Sequence, residues 1–197
     1  MGYKVLIFIY YLVNFNSVIN GQTSLSNDSV VACEITNDFF NWYLGAINHK
    51  PKSVFQPKFI DNKEGMTTLD FRVYLNNLKK HHCSDVLIER EKESYNECLR
   101  NLEKIKFIDF ILYEDLGQIE DISCDFENYY RWIGGQEPID GIRIKEVKQI
   151  DKSQIQITID YFVDNSQGYG ISYWGKNIIT LVKIHNRWEI NVVNWRD

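Results

Sequence analysis

The stretch DFENYYRWIGGQEPI, residues 125 to 139, holds the densest group of side chains able to contact a ligand. An amphipathic aromatic residue beside polar side chains is common at recognition surfaces, because the ring supplies apolar area and its neighbours supply hydrogen bonds. The stretch therefore favours a groove for a peptide, a protein or a small ligand. This interpretation names five candidate binding residues: Trp42, Tyr130, Trp132, Gln136 and Glu137.

A structural interpretation competes with this one at the same residues. Here the aromatic side chains Tyr129, Tyr130 and Trp132 anchor the core. The two glycines that follow turn the chain, and Pro138 ends the turn before a sheet begins. The structural interpretation is favoured, and the two are partly compatible. We expect Trp132 to be a core anchor and Glu137 to contribute to binding.

Metal and cofactor chemistry finds little support in the sequence. Asp121, Asp125 and Glu127 lie close together, as calcium ligands often do, but they lack the order of an EF-hand loop. The adjacent His81 and His82 cannot face one metal from one helix face, and no CxxC spacing occurs. No nucleophile elbow, phosphate loop, zinc-protease or dinucleotide motif is present. We therefore predict no catalytic residue, no metal and no cofactor.

The first residues predict export. Lys4 precedes an apolar run from Val5 to Val13, and a polar stretch then ends at the small residue Gly21, which is typical of a secretory signal peptide. The run is too short to span a bilayer, for which about 20 apolar residues are needed. We predict a leader of residues 1 to 21, a flexible stretch 22 to 29, one domain over 30 to 197, and a periplasmic or extracellular location. A retained anchor or a buried first strand is the alternative.

Removing that leader takes away one of the 22 basic residues and none of the 27 acidic ones, so the net charge changes from −5 to −6. Binding to a phosphate backbone needs a clustered excess of Lys and Arg. The composition therefore argues against a nucleic-acid partner. It leaves a protein or a small ligand of the cell envelope as the expected partner.

Four cysteines are consistent with disulfides in an exported protein. If one helix contains both Cys83 and Cys98, its length separates them by roughly 22 Å, far beyond the ~7 Å limit for a bridge. Cys98 is then expected to pair with Cys124 or with Cys33. Free, partly buried cysteines are the remaining alternative.

Hydrophobic periodicity predicts three helices followed by four strands. Asn27, Asp28 and Ser29 offer caps to the first helix, Thr67 and Asp70 have capping-box spacing before the second, and Ser84 precedes the third. From Gly141 onward the period is two, and four strands with short turns predict an antiparallel meander. The fold class is α+β, with the helices covering one face of the sheet. The apolar positions that support the first helix are Val31, Ile35, Phe39, Trp42 and Ala46, and those of the second strand are Ile155, Ile157, Ile159, Tyr161 and Val163.

The order of helices and meander, the FFNWYLGAI segment, the SCDFENYYRWIGGQE corner and the final WEINVVNW segment together resemble an exported bacterial family, domain-of-unknown-function family 3828. Its members are similar to the nuclear-transport-factor-2-like fold, a cone of helices wrapped on a strongly bent sheet. The resemblance covers about residues 30 to 195 and implies no activity. It implies that the connection into the sheet carries Asp125, Tyr130, Trp132, Gln136 and Glu137.

Three classes of function follow. The leading one is a non-catalytic envelope protein that binds a protein or a small ligand. The second is an immunity-type protein that neutralises a basic toxin. The third is an isomerase-like enzyme, because folds related to this cone host isomerases that use a tyrosine and a carboxylic acid. Its candidate residues are Tyr43, Asp160 and Tyr161, although alternation along the strand points Asp160 and Tyr161 to opposite faces.

We predict that the exported protein begins at Gln22. Mass spectrometry of the protein recovered from the medium or the periplasm measures this directly. A recovered protein that still carries Lys4 would contradict the prediction.

Overall fold

The computed structural model describes residues 26–113, 115–124, 126, 129–137, 139–165 and 170–196. The predicted leader lies outside these ranges, as do Asp125, Glu127, Pro138 and residues 166 to 169. Among the described residues, no helix is long and apolar enough to cross a membrane. The helices pack against an antiparallel sheet, so the predicted α+β class is confirmed.

The first helix, α1, spans Asn27–His49 and supplies the largest apolar face. Its cap is Ser26, whose side chain accepts a hydrogen bond from the Ser29 amide, and not one of the three residues predicted for this role. The helix therefore begins inside the stretch predicted to be flexible. Three of the predicted apolar positions, Ile35, Phe39 and Ala46, are buried, and Val31 and Trp42 are partly buried.

A hairpin replaces the predicted capping box. After a short 3₁₀ helix at Lys52–Val54, strands β1 (Lys58–Asp61) and β2 (Thr67–Asp70) pair antiparallel. Thr67 donates from its hydroxyl to the Ile105 carbonyl at 2.9 Å, so it serves a long-range contact instead of a helix end. Helix α2 then spans Arg72–Lys80. Its N-cap residue Phe71 makes no side-chain cap bond, and Asp70 accepts from the Arg72 amide at 2.9 Å.

The predicted third helix is broken into two. Helix α3 spans Asp85–Glu93, and Ser84 caps it as predicted by accepting from the Leu87 amide. The Ser94 hydroxyl donates to the Glu91 carbonyl at 2.6 Å, a local bond that competes with helix continuation. Helix α4 follows at Asn96–Leu102. The prediction of one continuous helix was therefore wrong.

A disulfide joins Cys98 in α4 to Cys124, one of the two pairings left open, and Cys33 and Cys83 are free. Because the helix is broken, helix length is not what excludes Cys83. Between the two bonded cysteines lie the short helices α5 (Phe107–Phe110) and α6 (Leu116–Glu120). The disulfide thus closes a loop over a sequence separation of 26 and joins Cys124 to helix α4.

The main sheet contains β3 (Gly141–Asp151), β4 (Gln154–Asn165), β5 (Gly170–Ile184) and β6 (Arg187–Arg196), hydrogen-bonded in that order. All three pairings are antiparallel. The turn between β5 and β6 has positive φ at His185 and at Asn186, two residue types that adopt this conformation more readily than most.

One face of the sheet is the core. The β4 residues Ile155, Ile157, Ile159 and Tyr161 are all at most 1 % exposed. The register with β5 shifts between Asp160 and Tyr161, where Gly175 adopts a φ of 62°. A Cβ at that glycine would lie 3.2 Å from the Tyr161 ring, so the bulge and the close ring contact both require glycine there.

Replacing both bonded cysteines with serine should reduce the free energy of unfolding by about 3 to 4 kcal/mol, because the closed loop restricts the unfolded chain. Urea denaturation measures the loss, and Cys33→Ser is the matched control that keeps the bridge. Peptide mapping without reductant should recover Cys98 linked to Cys124. If reductant does not lower the stability of the wild-type protein, the prediction is contradicted.

Candidate functional site

Trp132 is the core anchor of the segment 129–137. Its side chain is 3 % exposed, and its indole Nε1 donates to the Tyr74 hydroxyl at 3.2 Å. Its backbone is held as well. The amide donates to the Tyr43 hydroxyl at 3.4 Å, and the Tyr161 hydroxyl donates to the carbonyl at 3.2 Å. Helix α1, helix α2 and strand β4 therefore all contribute to placing this one residue.

The chain reverses directly after this anchor. The Gly134 amide donates to the Tyr130 carbonyl at 2.9 Å, and the Tyr130 amide donates to the Gly135 carbonyl at 2.8 Å. Gly134 has a φ of 75°, which favours glycine. The turn brings Gln136 and Glu137 to the surface, where both are exposed.

A buried carboxylate lies behind the turn. The Glu91 side chain is 1 % exposed, and its Oε1 accepts from the Tyr74 hydroxyl at 2.7 Å and from the Tyr95 hydroxyl at 2.9 Å. Its Oε2 accepts from Arg131 Nε at 2.8 Å. Sequence reasoning missed this residue, because a glutamate in the charged run EREKE gives no sign of burial.

Burial and the neighbouring charges shift the pKa values of Tyr74, Tyr95 and Arg131. Burial is the largest influence on the pKa of each tyrosine that contacts Glu91, and it raises the pKa of Tyr74 and of Tyr95 well above the ordinary value. Burial alone would lower the pKa of the Arg131 guanidinium, but the charge and hydrogen bond of Glu91 outweigh it and raise that pKa. At neutral pH the two tyrosines are therefore uncharged hydrogen-bond donors.

A pocket of about 330 Å³ opens beside the turn, between it and the end of α1. We call it the corner pocket. Gln56, only 6 % exposed, contributes a polar side chain from the segment before β1. The lining side chains are Ile47, Lys50, Lys52, Phe55, Gln56, Phe126, Tyr129, Tyr130 and Gln136.

A smaller pocket of about 110 Å³ adjoins it, and we call it the Arg131 pocket. The two pockets share the side chains of Phe126 and Tyr129. Phe126 is fixed from behind, because its ring stacks on Phe59 at 5.3 Å and meets Tyr95 edge-on at 5.1 Å. The residues that line the smaller pocket are Ser94, Tyr95, Ser123, Phe126, Tyr129 and Arg131.

The candidate binding residues lie in four different places. Tyr130 and Gln136 line the corner pocket, whereas Trp132 is buried behind it. Glu137 is exposed and lines neither of the two pockets. Trp42 lies elsewhere, with its ring stacked on His81 at 4.6 Å. The structure thus brings two of the five candidates together at one site.

The isomerase candidates do not form a catalytic group. The hydroxyls of Tyr43 and Tyr161 are both bonded to the backbone of Trp132. Asp160 instead pairs with Arg143 at 2.8 Å and with Lys145 at 3.4 Å. Burial pushes the pKa of Asp160 up, but its hydrogen bonds to these two cations outweigh burial and lower it, so this carboxyl is not tuned as an acid or base for neutral pH.

Within the described ranges, no group of three or more His, Cys, Asp or Glu side chains is arranged to hold a metal ion. Of the three acids considered as calcium ligands, Asp125 and Glu127 lie outside those ranges. No protein-family model matches the chain, and a search of curated proteins finds no significant match. The resemblance to family 3828 therefore stays a prediction.

The buried tyrosines predict a loss of stability at high pH. Burial raises the pKa of Tyr43, Tyr74, Tyr95 and Tyr161, so the folded protein keeps protons that the unfolded chain releases above about pH 10. The free energy of unfolding should be unaffected by these groups below that pH. Above about pH 10 the free energy of unfolding should fall by about 1.4 kcal/mol per pH unit for each tyrosine that is protonated in the folded protein and deprotonated in the unfolded chain. Urea denaturation monitored between about pH 8 and 11 tests this, and a flat profile would contradict it.

Proposed function

We propose that the protein is a non-catalytic binding protein that holds a small ligand in the corner pocket. One observation carries the proposal: a residue locked into the core, Trp132, lies in the chain between two residues that line an open pocket, Tyr130 and Gln136. Binding sites need such rigid support, because side chains fixed in advance lose little entropy when the ligand arrives.

The shape of the site supports a small ligand. Small-molecule pockets range from about 300 to 1,000 Å³ and combine apolar walls with a few placed polar groups. The corner pocket, at about 330 Å³, falls at the lower end of this range. Phe55 and Ile47 supply apolar wall, and Gln136 supplies an amide that can donate and accept. A non-catalytic role is supported by Tyr43, whose hydroxyl is engaged within the core.

The proposal includes an exported location. A disulfide persists in oxidising compartments and is rare in the cytosol, and the bond between Cys98 and Cys124 supports export together with the leader pattern. We further propose a cone-like, nuclear-transport-factor-2-like arrangement of the sheet. Its support is the set of register shifts at Ile144/Glu146, Asp160/Tyr161 and Thr180/Leu181, because bulges bend strands.

The test uses nuclear magnetic resonance with a panel of small aromatic fragments added to isotope-labelled protein. Fragments that bind should shift the side-chain amide signals of Gln56 and Gln136. Gln136→Ala should weaken that binding about threefold or more and leave stability within about 0.5 kcal/mol of wild type, because the residue is exposed. Trp132→Ala should instead cost about 3 to 5 kcal/mol of stability.

The matched control is Gln156→Ala, which removes the same side chain from strand β4, outside the corner pocket. It should leave both binding and stability unchanged. If fragment shifts map elsewhere, or if Gln136→Ala and Gln156→Ala bind every fragment alike, the corner pocket is not the ligand site.

A further inference from the structure

We infer that the protein self-associates through the outer side of helix α5, with two copies packed antiparallel about a twofold axis. The surface consists of three apolar side chains, Ile108, Ile111 and Leu112, which we call the α5 patch. The exposure of the patch, the rigid support beneath it and the charges on either side of it all favour this partner.

The α5 patch is a contiguous apolar surface. Ile108, Ile111 and Leu112 are 65 %, 56 % and 71 % exposed, more than any other large apolar side chain within the described ranges. They follow the helical spacing i, i+3, i+4, so they lie on one side of the turn, opposite the buried Phe110. Single exposed apolar residues are ordinary on a protein surface, whereas a contiguous group marks an interaction site.

Fixed contacts hold the patch in this orientation. The Phe107 amide donates to the Gly65 carbonyl at 3.0 Å, which attaches α5 to the tip of the β1–β2 hairpin. On the inner side, the Phe110 ring lies 4.5 Å from the Phe59 ring. The patch cannot turn inward without breaking these contacts. A surface that is fixed in advance loses little conformational entropy when a partner packs on it.

The exposed charges at the two ends of the patch have opposite signs. Lys104 and Lys106 precede it in the chain, and Asp115 follows it. Lys104 donates to a neutral group, the Asn101 amide oxygen, at 3.4 Å, and the Asp115 carboxylate accepts from a backbone amide. In an antiparallel pair the lysines of one copy lie beside the aspartate of the other, and the twofold axis makes this contact twice. The patch is therefore complementary to itself.

The other charges near the patch do not favour a membrane as the partner. Glu103 and Asp109 are exposed acids of the same segment, and the hairpin tip beside α5 carries the exposed pair Lys63 and Glu64. Glu114, outside the described ranges, adds an acid to the sequence here. An anionic bilayer attracts clusters of Lys and Arg, and this surface has charges of both signs with an acidic excess. A second copy needs no basic excess.

The size of the patch predicts a weak dimer. A standard interface buries about 800 Å² on each partner, which corresponds to roughly 20 to 30 residues a side. Three apolar side chains and the charges beside them form a smaller surface than this. We therefore expect a dissociation constant on the order of 100 μM.

Sedimentation equilibrium between about 10 μM and 1 mM protein tests the inference. The average mass should rise with concentration from that of the monomer toward twice that value. Ile108→Ser should weaken the association about fivefold or more, because an apolar side chain leaves the interface. Ile150→Ser is the matched control, since it replaces an exposed isoleucine of β3 outside the patch and should leave the association unchanged. Both variants should melt as wild type does.

A charge reversal tests the antiparallel arrangement. Lys106→Glu should weaken the association about threefold or more at low ionic strength, because it would place a negative charge beside Asp115 of the second copy. Added salt should reduce the difference from wild type. Lys148→Glu is the control, because it reverses the charge of an exposed lysine on β3, outside the patch, and should have little effect.

A protein that stays monomeric up to about 1 mM would overturn the inference. So would an association that Ile108→Ser and Lys106→Glu leave unchanged. Flotation with vesicles of phosphatidylcholine and phosphatidylglycerol tests the bilayer as partner. Vesicle binding that Ile108→Ser abolishes, in a protein that does not self-associate, would assign the patch to a membrane and overturn the dimer. None of these outcomes bears on the ligand of the corner pocket.

Discussion

The buried carboxylate of Glu91 is the constraint on which the rest of the structure depends. Removing a charge from water costs several kcal/mol, and this cost must be offset by a counter-charge and by hydrogen bonds of good geometry. Three parts of the chain supply them: Tyr74 from α2, Tyr95 from the break before α4, and Arg131 from the turn region. None of these segments can move far without leaving the carboxylate unpaired. Tyr95 lies at the break in the predicted third helix, and from there its hydroxyl donates to Glu91 at 2.9 Å.

This constraint passes directly to the candidate site. Arg131 and Trp132 are neighbours in the chain, one bound to Glu91 and the other bonded to Tyr74 through its indole. The turn that follows is therefore attached to the core at two consecutive residues. The pocket residues Tyr130 and Gln136 lie just before and just after this attachment. Their positions are set by bonds behind the pocket, so the site can be preformed without contacts across its own mouth.

Patterns along the chain predicted the parts of the fold that repeat locally. The period of α1, the cap at Ser84 and the alternation from Ile155 to Tyr161 each reflect interactions within a few residues, and the structure agrees with them. The capping box predicted at Thr67 failed because a long-range bond to the Ile105 carbonyl makes that residue part of a strand. Glu91 was missed for a related reason: its partners lie up to 40 residues away, and no local pattern records them.

The sequence grouped five candidate binding residues, and the structure shows that they do not all lie together. A group of aromatic and polar residues in one stretch of sequence indicates a ligand-binding surface. The pattern does not show which of these side chains face solvent. Trp132 was rightly expected in the core, while Trp42 was grouped with the corner and instead stacks on His81. The lysines and Gln56 were not candidates, because they come from a segment about 80 residues earlier that only the fold brings to the turn. The pocket joins two segments that are distant in the chain, so the residues around the turn cannot by themselves show which side chains they meet there.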